Sequence, residues 1–195
     1  MAATVLFARQ GQEDTNPMNW QTTALALAAS ISLSACFLSG ASNIQTGVHL
    51  AEGSVSFCTD DDPPCQTGFP EGDGYIIYSG DPEEEDLRLR FEVLTETGTG
   101  TVYVGEAELR NEEGSSWAYL MAHAAVTPGE GFPEFDIIMP ACNDAEPSVQ
   151  SAYGITRADA YSCEIGDFAA FRRYLVDTYS DQFDDPAFWR ERDPL

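Results

Sequence analysis

The sequence predicts a mainly β fold, in which an antiparallel meander forms a curved sheet and one C-terminal helix packs on it. Three observations support this fold class. Between residues 87 and 94, apolar and polar side chains alternate with the period of two that is typical of a strand with one buried face. Segments rich in glycine and proline separate this stretch from similar ones at short intervals. After Asp167, apolar residues recur with helical spacing instead.

The predicted strands follow one another along the chain, and they cover residues 54–57, 75–78, 87–94, 102–109, 117–126, 132–139 and 161–165. The segment 59–74 is rich in aspartate, proline and glycine, so it is predicted to be a loop. Strands that are joined by short turns pair most simply with their neighbours. We therefore expect an antiparallel meander in the form of a partly open barrel or a sandwich.

The C-terminal helix is predicted to begin after Asp167, a residue type that caps helix N-termini well. Arg172 and Arg173 lie on the polar side of this helix, where we expect them in water. Phe188 and Trp189 follow the helix and are expected to fasten the tail to the core. The apolar side of the helix consists of Phe168, Phe171, Tyr174, Leu175 and Tyr179.

The charge of the chain excludes several kinds of partner. Its 195 residues contain 33 acidic and 9 basic side chains and no lysine, which gives a formal net charge of −24. Only Arg9, Glu13 and Asp14 among these charges precede Cys36. A surface this acidic repels nucleic-acid phosphates and does not dock on anionic lipid by charge. It is typical of a domain that hydrated carboxylates keep in solution.

An uncharged segment, residues 22–38, indicates export. Its apolar core of about 15 residues is shorter than the ~20 that a spanning helix needs, and it has the length of a signal peptide. The segment contains Leu33-Ser34-Ala35-Cys36, which resembles the lipobox of bacterial lipoproteins. This resemblance implies that the Cys36 thiol carries a diacylglycerol and that the chain is cut before Cys36. Translation from Met18 would leave a short leader in front of the apolar core.

The predicted organisation has three parts: an upstream segment and signal peptide at 1–35, a lipidated Cys36 with a tether at 36–47, and a single acidic β-rich domain at 48–195. We expect the domain in the cell envelope, anchored by lipid. Because no aspartate follows Cys36, the resemblance implies the outer membrane in a Gram-negative cell. Other readings stay open: secretion after a cut behind Ser39-Gly40-Ala41, which has the small-x-small pattern, retention of the uncut segment as an anchor, and a buried core helix in place of the signal peptide.

The cysteines predict two disulfides. Lipidation of Cys36 leaves four of the five cysteines, an even number in a compartment where thiols oxidise. Three pairings of four cysteines exist. We predict Cys58–Cys65, which would close a polar loop, and Cys142–Cys163, which would join the end of one strand to the last strand.

The sequence offers little catalytic chemistry. His49 and His123 are the only histidines, and His123 lies on the central predicted strand, on the same face as Tyr119 and Met121. We predict that His123 is a buried, hydrogen-bonded core residue. The sequence lacks the motifs of a nucleophile elbow, a zinc protease and a phosphate-binding loop. We therefore assign no catalytic, metal or cofactor-binding residue.

These observations predict an envelope lipoprotein whose domain binds a small ligand or another envelope protein, or has a structural role, without catalysis. A small secreted hydrolase that uses His123 with an unidentified carboxylate is one alternative, and a periplasmic inhibitor of another protein is a second. Several aromatic residues on the strands are expected to be core, although in a curved sheet they would also suit the lining of a cavity. They are Tyr75, Tyr78, Tyr103, Trp117 and Tyr119.

Overall fold

The structure is a computed structural model that describes residues 37–59, 65–81, 85–111, 114–125, 131–143, 146–159 and 161–190. The predicted signal peptide, Met18 and Cys36 lie outside the described residues. The strands are β1 Phe37–Ser39, β2 Val55–Cys58, β3 Cys65–Glu71, β4 Gly74–Ile77, β5 Leu87–Glu96, β6 Thr101–Asn111, β7 Gly114–Ala124, β8 Glu134–Ile138, β9 Ile155–Arg157 and β10 Cys163–Ile165. The helices are α1 Pro147–Ala152, α2 Phe168–Tyr179 and α3 Pro186–Arg190, and a 3-10 turn Ser180–Gln182 lies between α2 and α3.

Strands β2 to β8 form a closed barrel. Each of them pairs with the next in antiparallel fashion, and β8 returns to pair with β2, with Ser56 opposite Glu134. Because direction alternates along a meander, the first and last of seven strands run parallel, as β2 and β8 do. The predicted β class and the predicted meander are confirmed, and the barrel is closed rather than partly open.

Side chains fill the interior of the barrel. A Cβ atom on Gly68 would lie 2.4 Å from the Phe57 ring, so only glycine fits where that ring crosses β3. Because successive side chains on a strand point to opposite faces, every second residue points into the barrel and its neighbours lie on the outer wall. The buried interior residues are Leu50, Val55, Phe57, Tyr75, Ile77, Leu89, Phe91, Ala107, Leu120, Ala122 and Phe135.

A second core lies outside the barrel, where the helices cover the outer faces of β6 and β7. The side chain of Asp167 accepts a hydrogen bond from the Ala170 amide at 2.9 Å, so the predicted N-cap of α2 is confirmed. Phe188 and Trp189 are buried, as predicted for the tail. Members of this core include Val102, Val104, Tyr119, Met121, Phe171, Tyr174, Leu175, Tyr179 and Phe183.

The segment 37–47, predicted to be a tether, is part of the folded domain. Its first residues form β1, which pairs with β7 in antiparallel and with β10 in parallel orientation. Phe37 and Ile44 have no solvent-accessible surface. The prediction was wrong because a strand of three residues is too short to show an alternating pattern. The two buried apolar residues of the segment stand among serine, glycine and alanine, whose composition is typical of a tether.

Two further expectations need correction. Part of the predicted loop 59–74 is strand β3, which pairs with β2 next to the Cys58–Cys65 disulfide. Arg172 is not simply in water, because its guanidinium donates to the Glu92 carboxylate and, at 2.6 Å, to the Val93 carbonyl oxygen. It therefore fastens α2 to β5.

Candidate functional site

His123 lies on β7 directly opposite Asp136 on β8 and is 1% exposed. Its ring stacks on the indole of Trp189 in α3, with centroids 5.1 Å apart and planes inclined by 18°. Its Nε2 atom is 3.3 Å from Thr99 Oγ1 in the β5–β6 turn. The prediction of a buried, hydrogen-bonded histidine is confirmed. His49, in contrast, is exposed, with its ring 5.5 Å from that of Tyr75.

Asp184 determines which nitrogen of His123 carries the proton. The Thr99 hydroxyl donates its single hydrogen to Asp184 Oδ1 at 2.9 Å, and the Thr99 amide donates to the same oxygen at 3.0 Å. The hydroxyl can then only accept from His123, so Nε2 is the protonated nitrogen. The other nitrogen, Nδ1, makes no well-formed hydrogen bond among the described residues, although the Ala124 backbone acts on the ring and raises the pKa of His123.

Burial controls the ionisation of this cluster. It lowers the pKa of His123, and the nearby carboxylates of Asp136 and Asp184 oppose this effect. Burial also raises the pKa of Asp136, against the attraction of Arg190, whose Nε lies 3.4 Å from Asp136 Oδ2. The cluster thus joins two barrel strands and the β5–β6 turn to the C-terminal segment.

This geometry does not match that of a general base. A catalytic histidine needs a free lone pair on the nitrogen that faces the substrate and a partner that orients the other nitrogen. His123 has an oriented Nε2 and a free lone pair on Nδ1, but the residue is 1% exposed and the Trp189 indole covers its ring, so a substrate cannot reach that lone pair. Through its contact with Trp189, His123 instead packs α3 against the barrel.

Glu106 is a buried carboxylate that the sequence reasoning missed. It is 2% exposed on the outer wall of β6 and accepts hydrogen bonds from the Asn43 amide at 2.8 Å and the Ile44 amide at 3.2 Å. The Ser42 hydroxyl also donates to it. A signal was present, because Glu106 shares its face of β6 with Val102 and Val104, and two valines indicate a covered face.

Both disulfides predicted from the sequence are present in the structure. Cys58 and Cys65 join neighbouring positions of β2 and β3, and Cys142 joins the segment after β8 to Cys163 in β10. Cys142 and Cys163 are fully buried in the outer core. The second bridge therefore fixes β10, and with it β1, to the barrel.

The five aromatic residues considered as a cavity lining do not line one cavity. Tyr75 and Tyr103 pack in the interior of the barrel, whereas Tyr119 lies in the outer core under α2. Trp117 is half-buried on β7, and Tyr78 is 58% exposed. Their expected role as core residues fits Tyr75, Tyr103 and Tyr119, whereas Trp117 and Tyr78 belong to neither core.

Tyr78 belongs instead to an exposed aromatic pair on the outer wall of β3 and β4. Phe69 is 41% exposed, and its ring centroid is 5.5 Å from that of Tyr78. We call these two residues the aromatic patch. It borders charged residues, because Phe69 lies opposite Ile76, which lies opposite Arg88, and Arg88 Nε is 3.0 Å from Glu71 Oε2.

Comparison with protein-family models, curated proteins and solved structures finds no match to this chain. Among the helices that the structure describes, none is long and apolar enough to cross a membrane. Within the same residues, no group of three or more histidine, cysteine, aspartate or glutamate side chains is placed to hold a metal ion.

Proposed function

We propose that the protein is an exported envelope lipoprotein, anchored through Cys36, whose barrel binds another envelope component without catalysing a reaction. The observation that carries this proposal is the burial of Phe37, the residue directly after Cys36. Buried core structure is thus present one residue after the lipobox cysteine. A cut before Cys36 leaves every described residue in place.

The alternative cut after Ala41 would remove a part of the core. It would delete β1 and with it Phe37, whose ring centroid lies 4.9 Å from that of Phe171 and 5.5 Å from that of Tyr174. Loss of a buried phenylalanine costs about 3–5 kcal/mol, a large share of the stability of a domain. This cost favours processing at the lipobox over ordinary secretion.

The disulfides support export in an independent way. Two bridges form between the four cysteines of the folded domain, and bridges of this kind persist in oxidising compartments rather than in the cytosol. They are compatible with an exported protein, and they do not require the lipid anchor.

The aromatic patch supports the binding role. The interior of the barrel is filled with side chains, whereas Phe69 and Tyr78 present large apolar surfaces to solvent. Exposed aromatic residues with a polar rim are typical of protein-binding surfaces. A periplasmic inhibitor would be a special case of this role, in which the partner is an enzyme.

Site-specific photo-crosslinking tests the binding role. A photoreactive phenylalanine in place of Tyr78 is expected to give one discrete adduct in intact cells, and the added substitution Phe69→Ser is expected to reduce its yield. The matched control carries the same group in place of Val149, an exposed apolar residue on α1. Equal adducts from both positions, or an adduct that Phe69→Ser leaves unchanged, would contradict the proposal.

A further inference from the structure

We propose that the β9–β10 hairpin lies, through Tyr161 and Arg157, on the phospholipid surface into which the Cys36 lipid inserts. The inference rests on the proposed lipidation and adds an orientation to it. The membrane-facing side of the domain is the side of β1, β9 and β10. The partner for this surface is a phospholipid headgroup layer.

The anchor must lie beside this hairpin. In the parallel pair of β1 and β10, Phe37 is opposite Cys163. Successive Cα atoms are about 3.8 Å apart, so the Cα of Cys36 lies about 3.8 Å from that of the buried Phe37 in any conformation of the preceding chain. The lipid would therefore enter the membrane next to the end of the hairpin, without a tether to separate the two.

Tyr161 is suited to a headgroup layer. It is 69% exposed, more than any other large apolar side chain among the described residues. The turn holds it in place, because the amides of Tyr161 and Ser162 both donate to Asp159 Oδ1 at 2.7 Å, and the Ala158 amide donates to the Ser162 carbonyl oxygen at 3.0 Å. A tyrosine combines an apolar ring with a polar hydroxyl, and this combination favours the membrane interface.

Arg157 places a cation at the same position. It is exposed and lies opposite Cys163 in the antiparallel pair of β9 and β10. Arg157 takes part in none of the ion pairs among the described residues, whereas five other arginines do. A guanidinium with no ion pair to any described carboxylate is available for a lipid phosphate.

The hairpin does not attract an anionic membrane on its own. Asp159 and the exposed Glu164 lie on it together with Arg157, so its net charge is negative. The lipid anchor would supply the proximity, and Tyr161 with Arg157 would select which side of the domain meets the headgroups. A zwitterionic phospholipid suits this arrangement, because it offers phosphates without a net negative surface.

The orientation has a consequence for the aromatic patch. Strand β7 carries β1, and β3 and β4 are each three strands away from β7 around the seven-stranded barrel. The aromatic patch therefore lies on the wall opposite the anchored side. In the proposed orientation it faces away from the membrane and stays available to a partner.

Quenching by spin-labelled lipid tests the orientation. The full chain is produced in a bacterial host, purified from its membranes and reconstituted into phosphatidylcholine vesicles that contain headgroup-labelled lipid. Tyr161→Trp reports on the hairpin, and Tyr78→Trp is the matched control, because both tyrosines are exposed and lie on opposite walls. The parent protein gives the background from its own tryptophans, and incorporation of labelled palmitate establishes whether the lipid is attached.

With the lipid attached, we expect quenching of the added tryptophan about three-fold stronger at position 161 than at position 78, as for an interfacial side chain. Adding Arg157→Glu to Tyr161→Trp should weaken the quenching about two-fold, since a phosphate contact becomes a repulsion.

Equal quenching at both positions, or stronger quenching at 78, would overturn the orientation but not the lipidation. If the protein carries palmitate but the tryptophan at position 161 is not quenched, the hairpin does not contact the lipid headgroups, and the proposal is overturned. Absence of palmitate from the purified protein would overturn the lipidation and the orientation together.

Discussion

The imidazole of His123 and the indole of Trp189 stack almost in parallel, with an angle of 18° between their planes. The contact joins the central strand β7 to the last helix of the described chain. Two polar contacts accompany it: the chain of hydrogen bonds from His123 through Thr99 to Asp184, and the pair of Arg190 with Asp136. The C-terminal segment is therefore held at one place by groups whose charge depends on pH.

The first prediction concerns the pH dependence of stability. Burial lowers the pKa of His123, so the unfolded chain takes up a proton near its ordinary pKa of about 6.5 while the folded protein stays neutral. The contribution of neutral His123 is complete above this pH and is lost as the pH falls below it. Urea unfolding should show a smaller decline between pH 7.5 and pH 5.5 for His123→Gln than for the wild type.

Asp136 acts in the opposite direction at lower pH. Its raised pKa means that the folded protein binds a proton before the unfolded chain does, which restores part of the stability as acidification continues.

His49→Gln is the control for the His123 prediction, because His49 is exposed. A wild type and a His123→Gln variant that decline equally would show that the titration of His123 does not affect folding.

The second prediction is that Phe37 belongs to the core. Phe37→Ala should lower the free energy of unfolding by about 3–5 kcal/mol, because it leaves a cavity beside Phe171 and Tyr174. Tyr78→Ala, at an exposed position, should change it by about 0.5 kcal/mol or less. A cost for Phe37→Ala as small as that of the control would remove the argument against a cut after Ala41.

Much of the fold could be predicted from the sequence, because its central strands are long and amphipathic. The alternation that begins at Leu87 and the N-cap at Asp167 are local signals, and the structure contains both elements. Strands β1 and β3 depend instead on distant partners. β1 is held by β7 and β10, and β3 by its pairing with β2, so composition alone suggested a tether and a loop.

The candidate site was predictable only in part, for the same reason. The position of His123 on a central strand predicted its burial, but its contacts with Thr99 and Trp189 come from segments far away in the chain. The burial of Glu106 likewise depends on residues 42–44, whose place in the fold follows from β1. Contacts between residues that are far apart along the chain do not produce a periodic pattern of apolar residues in the sequence.

The third prediction concerns the buried Glu106 carboxylate. Glu106→Gln replaces the charged acceptor by a neutral amide: the amides of Asn43 and Ile44 then donate to an uncharged oxygen, and the Ser42 hydroxyl must turn from donor to acceptor. We expect a loss of about 1–3 kcal/mol in the free energy of unfolding. Glu108→Gln on the same strand is the matched control and should cost less than about 1 kcal/mol, since its partner Arg110 is exposed. Equal losses would show that the 42–44 segment does not depend on Glu106.

The fourth prediction separates the two disulfides. The bridge between Cys142 and Cys163 spans 21 residues and that between Cys58 and Cys65 spans 7. In the chain-entropy model, double replacement by serine should cost about 3 kcal/mol for the longer loop and about 2 kcal/mol for the shorter one. Peptide mapping of the unreduced protein checks the pairing first. A link between Cys58 and Cys142 would show that the structure brings the wrong segments together.

The central claim is that a lipidated Cys36 directly precedes the buried strand β1. Mass spectrometry of the N-terminal peptide, taken from protein in the membrane fraction, tests it most directly. We expect a peptide that starts at Cys36 and carries a diacylglycerol on the thiol. A peptide that starts at Ser42, or one that reads through Cys36 with an unmodified thiol, would contradict the account.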